Sequence, residues 1–258
     1  MALLDRFRMK DQVAVVTGAG RGIGQGIALA FAEMGANVVC AARTDKEIEA
    51  TAERARAFGS RALAVPCDVT DLTQLEALAT RAMDEFGRID LLVNNAGGYP
   101  PMPFLETDLA SWQWCIKFNL ESAVVLTRAC LPHMLAGHGG AVLNISSAAG
   151  RIVRKNFAAY GTVKAALSFL TRQLAAEFAP RVRVNALAVG AVETSALRPF
   201  LTDEIRADME RMTPMQRIGS VEDIALAALW LCSPAGGWVT GKVVEVDGGT
   251  ETTNWPFD

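Results

Sequence analysis

From residue 13 onward, short β-branched runs alternate with longer helical stretches, and no other feature of the 258-residue chain limits its fold so sharply. VAVV (13–16) leads into a glycine-rich turn and a helix over about 22–34. NVVCA (37–41), RALAVPCD (61–68) and IDLLVNN (89–95) read as further strands, separated by EIEATAERARAF and LTQLEALATRAMDEF as helices. AVLNISS (141–147), VRVNALA (182–188) and KVVEVDGG (242–249) continue the series. Strands that are apolar throughout and joined by helices need both faces of a sheet covered. The expectation is an α/β fold, a doubly wound parallel sheet of about seven strands with helices on both faces. It should form one domain over 1–258, since no linker, repeat or low-complexity tract interrupts it.

Composition narrows the function. With 51% hydrophobic residues the chain can bury a full core. A net charge of −3 leaves no basic surplus for a nucleic acid or an anionic membrane, so a small-molecule partner is expected. The five cysteines are scattered without a C-x-x-C pair, which fits free thiols in a reducing compartment. Two histidines provide poorly for a metal site, and none is expected. The N-terminal MALLDRFRMK mixes charges where a signal peptide needs an apolar core, and no apolar run approaches the roughly 18 to 20 residues of a membrane span. The expected location is cytoplasmic.

The turn after the first strand is TGAGRGIGQG (17–26). Glycines at a strand-to-helix turn let the backbone pass close to a pyrophosphate, while the helix start offers unpaired N–H groups and partial positive charge. The spacing fits T-G-x-x-x-G-x-G through Thr17, Gly18, Gly22 and Gly24, not G-x-G-x-x-G. Many α/β chains use such a turn only to tighten a loop; its place at the first β–α junction favours a dinucleotide seat.

A second signal lies in NFAAYGTVKAALSFL (156–170), where one of only two tyrosines, Tyr160, precedes Lys164 by four residues. On a helix the two side chains share a face. A free phenol has a pKa of about 10, and a cation held beside it favours the phenolate, so a lowered Tyr160 pKa is expected. The bland alternative is a partly buried helix tyrosine next to a solvated lysine.

Taken in order, TGAGRGIG (17–24), NNAG (94–97), Asn119, the NISS run ending at Ser147 and Tyr160-Gly-Thr-Val-Lys164 resemble the short-chain dehydrogenase/reductase family in its compact form. The likeness covers essentially the whole chain, and the thirteen positions from Ser147 to Tyr160 match the family's usual interval. It implies a Rossmann-like sheet and an NAD(P)-dependent interconversion of a secondary alcohol and a ketone by hydride transfer. Tyr160 would be the general acid/base, Lys164 its tuning cation, and Ser147 the hydrogen-bond partner of the reacting oxygen, with Ser146 as its idle neighbour. Asn119 would be the fourth catalytic residue, holding a water that links the lysine to solvent. Gly18, Arg21, Gly22, Ile23, Gly24, Asp68, Val69, Asn95, Ala96 and Gly97 would line the cofactor, joined by Tyr160, Lys164, Gly190, Val192 and Thr194. Asn94 is expected to hold the sheet together instead. Family members are mostly homotetramers, and Ala158, Ala159, Ala165 and Ala166 would allow close packing between subunits, or simply against the chain's own sheet.

NAD-binding forms carry an acid at the end of the second strand. Here Ala42 stands in that place and Arg43 follows it, with Arg21 as a possible second cation, so NADP is favoured over NAD. Solvated arginines, with Asp45 capping the next helix, are the alternative.

After the sixth strand the family's Asn-x-x-x-Pro-Gly reads NALAVG, with Val189 in place of proline, which puts the order of the next segment in doubt. That segment, about 190–217, carries Leu197, Pro199, Phe200, Leu201, Met209, Met212, Pro214 and Met215, and reads as a substrate lid with an apolar underside or as plain core. The C-terminal region is similar to the 7α-hydroxysteroid dehydrogenases and the 3-oxoacyl carrier-protein reductases. With YPPMPF (99–104) it suits a lipophilic substrate such as a hydroxysteroid or a 3-oxoacyl compound. A non-catalytic dinucleotide-binding sensor or scaffold would tolerate a damaged catalytic set, yet all four positions are filled. A methyltransferase has no use for the serine, tyrosine and lysine. Enoyl reductases of the family space the last two more widely.

Overall fold

The computed structural model describes residues 2–195 and 197–254. Its seven strands are β1 (Val13–Thr17), β2 (Asn37–Ala42), β3 (Ala62–Pro66), β4 (Leu91–Asn94), β5 (Gly140–Ser147), β6 (Val182–Val189) and β7 (Val243–Val246). They form one sheet in the order β3-β2-β1-β4-β5-β6-β7, parallel throughout. The order reverses between β1 and β4, so the connections from those strands leave in opposite directions and open a crevice at their C-terminal ends.

The helices are α1 (Gly22–Glu33), α2 (Asp45–Ala57), α3 (Leu72–Phe86), α4 (Leu109–Ile116), α5 (Ser122–Ala136), α6 (Ala158–Phe178), α7 (Asp203–Met212) and α8 (Val221–Cys232). One core joins Ile27 and Phe31 of α1, Ile48 of α2 and Ile224 and Ala228 of α8 to one face of the sheet. The other joins Leu75 and Leu78 of α3 and Leu126 and Met134 of α5 to the opposite face. All five residues of β1 are buried, as burial on both faces demands.

Helix starts follow local chemistry. Asp71, Asp108, Thr202 and Ser220 each accept a backbone N–H at the start of α3, α4, α7 and α8. The start of α1 differs: Arg21 occupies its cap without a side-chain hydrogen bond, and the first turn holds no acid. Its orphan N–H groups therefore face the crevice with no internal partner of that kind.

Two expectations about single residues change here. Asp45 is the first residue of α2, and the cap position belongs to Thr44. Val189 is the last residue of β6, one position beyond the expected end at 188, because a β-branched residue suits a buried strand position. The chain beyond is pinned by a bridge between Val192 and Gly219, with Gly219 N–H donating to Ala191 O at 3.0 Å and Glu193 N–H to Gly219 O at 2.8 Å.

Candidate active site

The C-terminal ends of the strands open into a cleft of about 1120 Å³. Gly18, Arg21, Gly22, Ile23, Arg43, Asp68, Val69, Asn95, Ala96, Gly97, Ser147, Tyr160, Lys164, Gly190, Val192 and Thr194 all line it. Two expected residues do not. Gly24 is buried beneath the turn, where a Cβ would collide with the Gly18 carbonyl, so it acts by letting α1 approach β1. Asn119 lies behind the wall formed by Gly97 and Gly98.

The glycine turn is shaped by backbone needs. Gly18 and Gly22 adopt φ of +66° and +57°, and a Cβ on Gly18 would sit 2.6 Å from Asn95 Nδ2. Thr17 Oγ1 accepts the N–H groups of Asn95 and Ala96 at 3.0 and 3.1 Å, and Asn95 Nδ2 donates to Thr17 O at 2.8 Å. These bonds tie β1 to β4 where the sheet order reverses. With bare glycines and an uncapped helix start facing the crevice, the floor fits a pyrophosphate, and a dinucleotide suits the cleft.

At the β2 and β3 end, exposed Arg43 and Arg21 stand near two acids. Asp68 accepts Thr70 N–H and Oγ1–H at 2.9 and 2.8 Å, bonds that hold its carboxyl below the usual carboxylate range, assisted by Arg43. Glu47, one turn into α2, also lines the cleft, 3.9 Å from Arg21. The sequence reading missed Glu47 because it lies outside the strand end where an acid was sought. Its position three residues after a cap, facing back to the turn, is the signal that could have found it.

At the other end, α6 docks closely on the turn after β5. A Cβ on Gly161 would lie 2.7 Å from Ala149 O, and one on Gly150 2.9 Å from Ala165 N. Ser146 donates to Lys164 O at 3.0 Å and meets Ser168 Oγ at 2.8 Å, so its hydroxyl is a strut between strand and helix. Asn144 Nδ2 donates to Thr171 Oγ1 at 2.9 Å, while Asn94 Nδ2 donates to Asn144 Oδ1 and Thr127 Oγ1 at 2.9 and 3.0 Å. Asn94 thus holds the sheet to its helices, as expected. The docking sets Ser147 against the phenol of Tyr160, with a hydrogen bond between them.

Lys164 is buried with its Nζ 5.6 Å from the centre of the Tyr160 ring, so the shared helix face brings the two together. The expected acidity is reversed. Burial pushes the phenol up to about 12, and the Ser147 hydrogen bond recovers only part of that. Burial also lowers the lysine to about 8, and its ammonium donates to Ile145 O at 2.9 Å. In the protein alone, desolvation of the phenol outweighs the Ser147 hydrogen bond.

Asn119 sits in a π-helical turn (Lys117–Glu121) between α4 and α5, not on a regular helix. Its Nδ2 donates to Cys115 O at 3.0 Å, taking the carbonyl that its own backbone N–H would use in an α-helix. The same amide grips Gly98, accepting its N–H at 2.8 Å and donating to its carbonyl at 3.2 Å.

Of the apolar residues expected under a lid, only Leu197 and Phe200 line the cleft. Met209 is buried in the body of the protein, and Met215 is exposed. Ala196, within the same segment, lies outside the described residues. Tyr99, Pro100 and Pro101 line the cleft opposite, whereas Met102 and Phe104 do not.

A family model described as enoyl-(acyl carrier protein) reductase matches residues 18–251. A 7α-hydroxysteroid dehydrogenase of Escherichia coli (strain K12) is 39% identical over 95% of this chain and 96% of its own length. A cis-4-hydroxycyclohexanecarboxylate dehydrogenase of Sinomonas cyclohexanicum is 39% identical over 93% of this chain and 96% of its own. Among solved structures, a 7α-hydroxysteroid dehydrogenase complexed with NADH and 7-oxo glycochenodeoxycholic acid superposes with a TM-score of 0.93 at 39% identity, covering 97% of this chain and 98% of that one. Among the described residues, no helix is long and apolar enough to cross a membrane.

Proposed function

This chain belongs to the short-chain dehydrogenase/reductase family, and from that premise we propose that it interconverts a secondary alcohol and a ketone on a lipophilic ring, with Tyr160 as the proton donor. The observation that carries this reading is the cluster of Ser147, Tyr160 and Lys164 at one end of a dinucleotide-sized cleft. The relatives that turn over hydroxysteroids and a hydroxycyclohexanecarboxylate support the substrate class. The four-residue interval from Tyr160 to Lys164 favours carbonyl over enoyl reduction, despite the name of the family model.

A bound nicotinamide dinucleotide supplies or accepts the hydride at the substrate carbon. Gly18, Gly22 and the start of α1 would hold its pyrophosphate, Asp68 and Val69 its adenine, and Asn95 to Gly97, Gly190, Val192 and Thr194 its nicotinamide half. Ser147 receives the ketone oxygen by hydrogen bond, and the Tyr160 O–H transfers its proton to that oxygen. The charge of Lys164 stabilises the phenolate that remains. Asn119, by gripping Gly98 and filling the space beside Gly97 and Lys164, fixes the wall behind the lysine.

For the adenosine end, NADP is favoured over NAD because Arg43 follows Ala42 and a guanidinium suits a 2′-phosphate. Glu47 and Asp68 oppose that choice by their charge. The chain works as one domain, as a homotetramer, in a reducing cytoplasm that fits its five free, buried cysteines.

The test is consumption of NADPH and NADH, followed at the reduced-nicotinamide absorbance, against steroid, acyl and cyclic ketones. Turnover of ring ketones supports the reading, and reduction of enoyl substrates alone contradicts it. Arg43→Ala should lower kcat/KM with NADPH at least tenfold relative to NADH, and an unchanged ratio removes the 2′-phosphate argument.

A further inference from the structure

We propose that Glu47 is a specificity-determining residue of the adenosine end: its carboxylate opposes the 2′-phosphate of NADPH, so that the preference set by Arg43 is held down and both dinucleotides are used. This rests on the adenosine seat read above and adds to it a residue that works against Arg43 from the neighbouring helix.

The packing of α2 holds Glu47 against the glycine turn. Thr51, one turn further along the same helix face and fully buried, brings its Oγ1 within 2.9 Å of Ala19 O. Gln25 Nε2 donates to Gly20 O at 3.1 Å and to Thr51 Oγ1 at 3.0 Å. These bonds pin α2 to the backbone of residues 19 and 20. Gly20 records how near the helix comes, since a Cβ there would lie 2.9 Å from Glu47 Cβ and 3.0 Å from Glu47 Oε2. The carboxylate fills the space that a side chain at Gly20 would need, and from that place it lines the cleft.

Four charged side chains line this end: Arg21, Arg43, Glu47 and Asp68. Asp68 is already engaged, because its Oδ1 accepts both Thr70 donors. Glu47 is engaged by charge alone. Among the described residues no donor lies within hydrogen-bond distance of its carboxylate, and Arg21 Nη1 stands 3.9 Å away. A 2′-phosphate drawn to Arg43 brings another anion into the end of the cleft that holds Glu47, and the two compete for Arg21. A ribose hydroxyl carries no charge to be repelled and can donate to the carboxylate. The Glu47 and Arg21 side chains are 38% and 65% exposed, so water and salt screen the effect, and it tunes the choice of cofactor instead of deciding it outright.

Calorimetry with adenosine 5′-monophosphate and adenosine 2′,5′-bisphosphate reads this without turnover, because the two probes share the 5′-phosphate and differ only at the 2′ position. In Glu47→Gln the affinity for the bisphosphate relative to the monophosphate should rise roughly fivefold over wild type, and in Glu47→Asp, which keeps the charge, it should stay within about twofold. The ratio of kcat/KM with NADPH to that with NADH should rise in Glu47→Gln by a similar factor. A relative affinity unchanged in Glu47→Gln, including the case where both nucleotides gain alike, overturns the proposal. The Arg43 reading is judged on its own arm: a wild-type preference for the bisphosphate that survives Arg43→Ala removes Arg43 from the site, while the comparison of Glu47→Gln with wild type still decides the role of Glu47.

Discussion

Burial sets the protonation of Tyr160, and the Ser147 hydrogen bond offsets only part of it. With the phenol up at about 12 and Lys164 down at about 8, both groups are protonated at neutral pH, the state required to give a proton to a ketone. The falling limb of the pH profile for reduction therefore belongs to Lys164: kcat/KM should decline as pH rises through about 8, where the ammonium is lost, and stay level below it. Lys164→Arg, whose charge persists, should move that limb above pH 9, and a limb unmoved in this variant assigns it elsewhere. Ser147→Ala should reduce kcat by roughly 10²-fold, the scale of losing one donor at a developing charge. The pairing of Tyr160 with Lys164 was legible in the sequence because a four-residue interval puts both on one helix face. Their acidities were not, since desolvation depends on what packs over them.

Two short elements carry much of the site's precision. The π-turn at Lys117–Glu121 exists because the Asn119 amide takes the Cys115 carbonyl, and the same side chain anchors Gly98. Asn119→Ala should relax this turn toward a regular helix, lowering stability by about 1 to 3 kcal/mol as buried partners lose their hydrogen bonds. Thermal unfolding measures it, and an unchanged midpoint counts against the account of the turn. Sequence inspection had no means to see the π-turn, because an asparagine in an apolar run reads as an ordinary helix residue until its acceptor is known. The start of α8 is a capping box in which Asp223 accepts Ser220 N–H at 2.7 Å and pairs with Arg217 at 2.7 and 2.8 Å. These contacts hold the Asp223 carboxyl well below its ordinary range, so its contribution is present above the unfolded pKa of about 4 and lost as pH falls further. Asp223→Ala should cost about 1 kcal/mol at pH 7, with the difference from wild type vanishing in acid.

At the scale of the molecule, the β–α alternation foretold all seven strands, within two residues at most ends, because buried parallel strands are apolar along their whole length. The segment over 190–217 was read less well: its methionines look alike in sequence, and only packing separates buried Met209 from exposed Met215. Exposed apolar side chains on α4, α6 and α8, among them Leu109, Trp114, Phe169, Leu226 and Trp230, are the candidate contact surfaces of the homotetramer proposed above. Sedimentation should give four times the 27.6 kDa chain, and Phe169→Glu should give a smaller species. The central claim, that the Tyr160 phenol supplies the proton beside a bound dinucleotide, is tested most directly by ketone reduction in Tyr160→Phe with cofactor binding confirmed by fluorescence. Turnover should drop roughly 10³-fold while the cofactor still binds; turnover within a few-fold of wild type contradicts the claim.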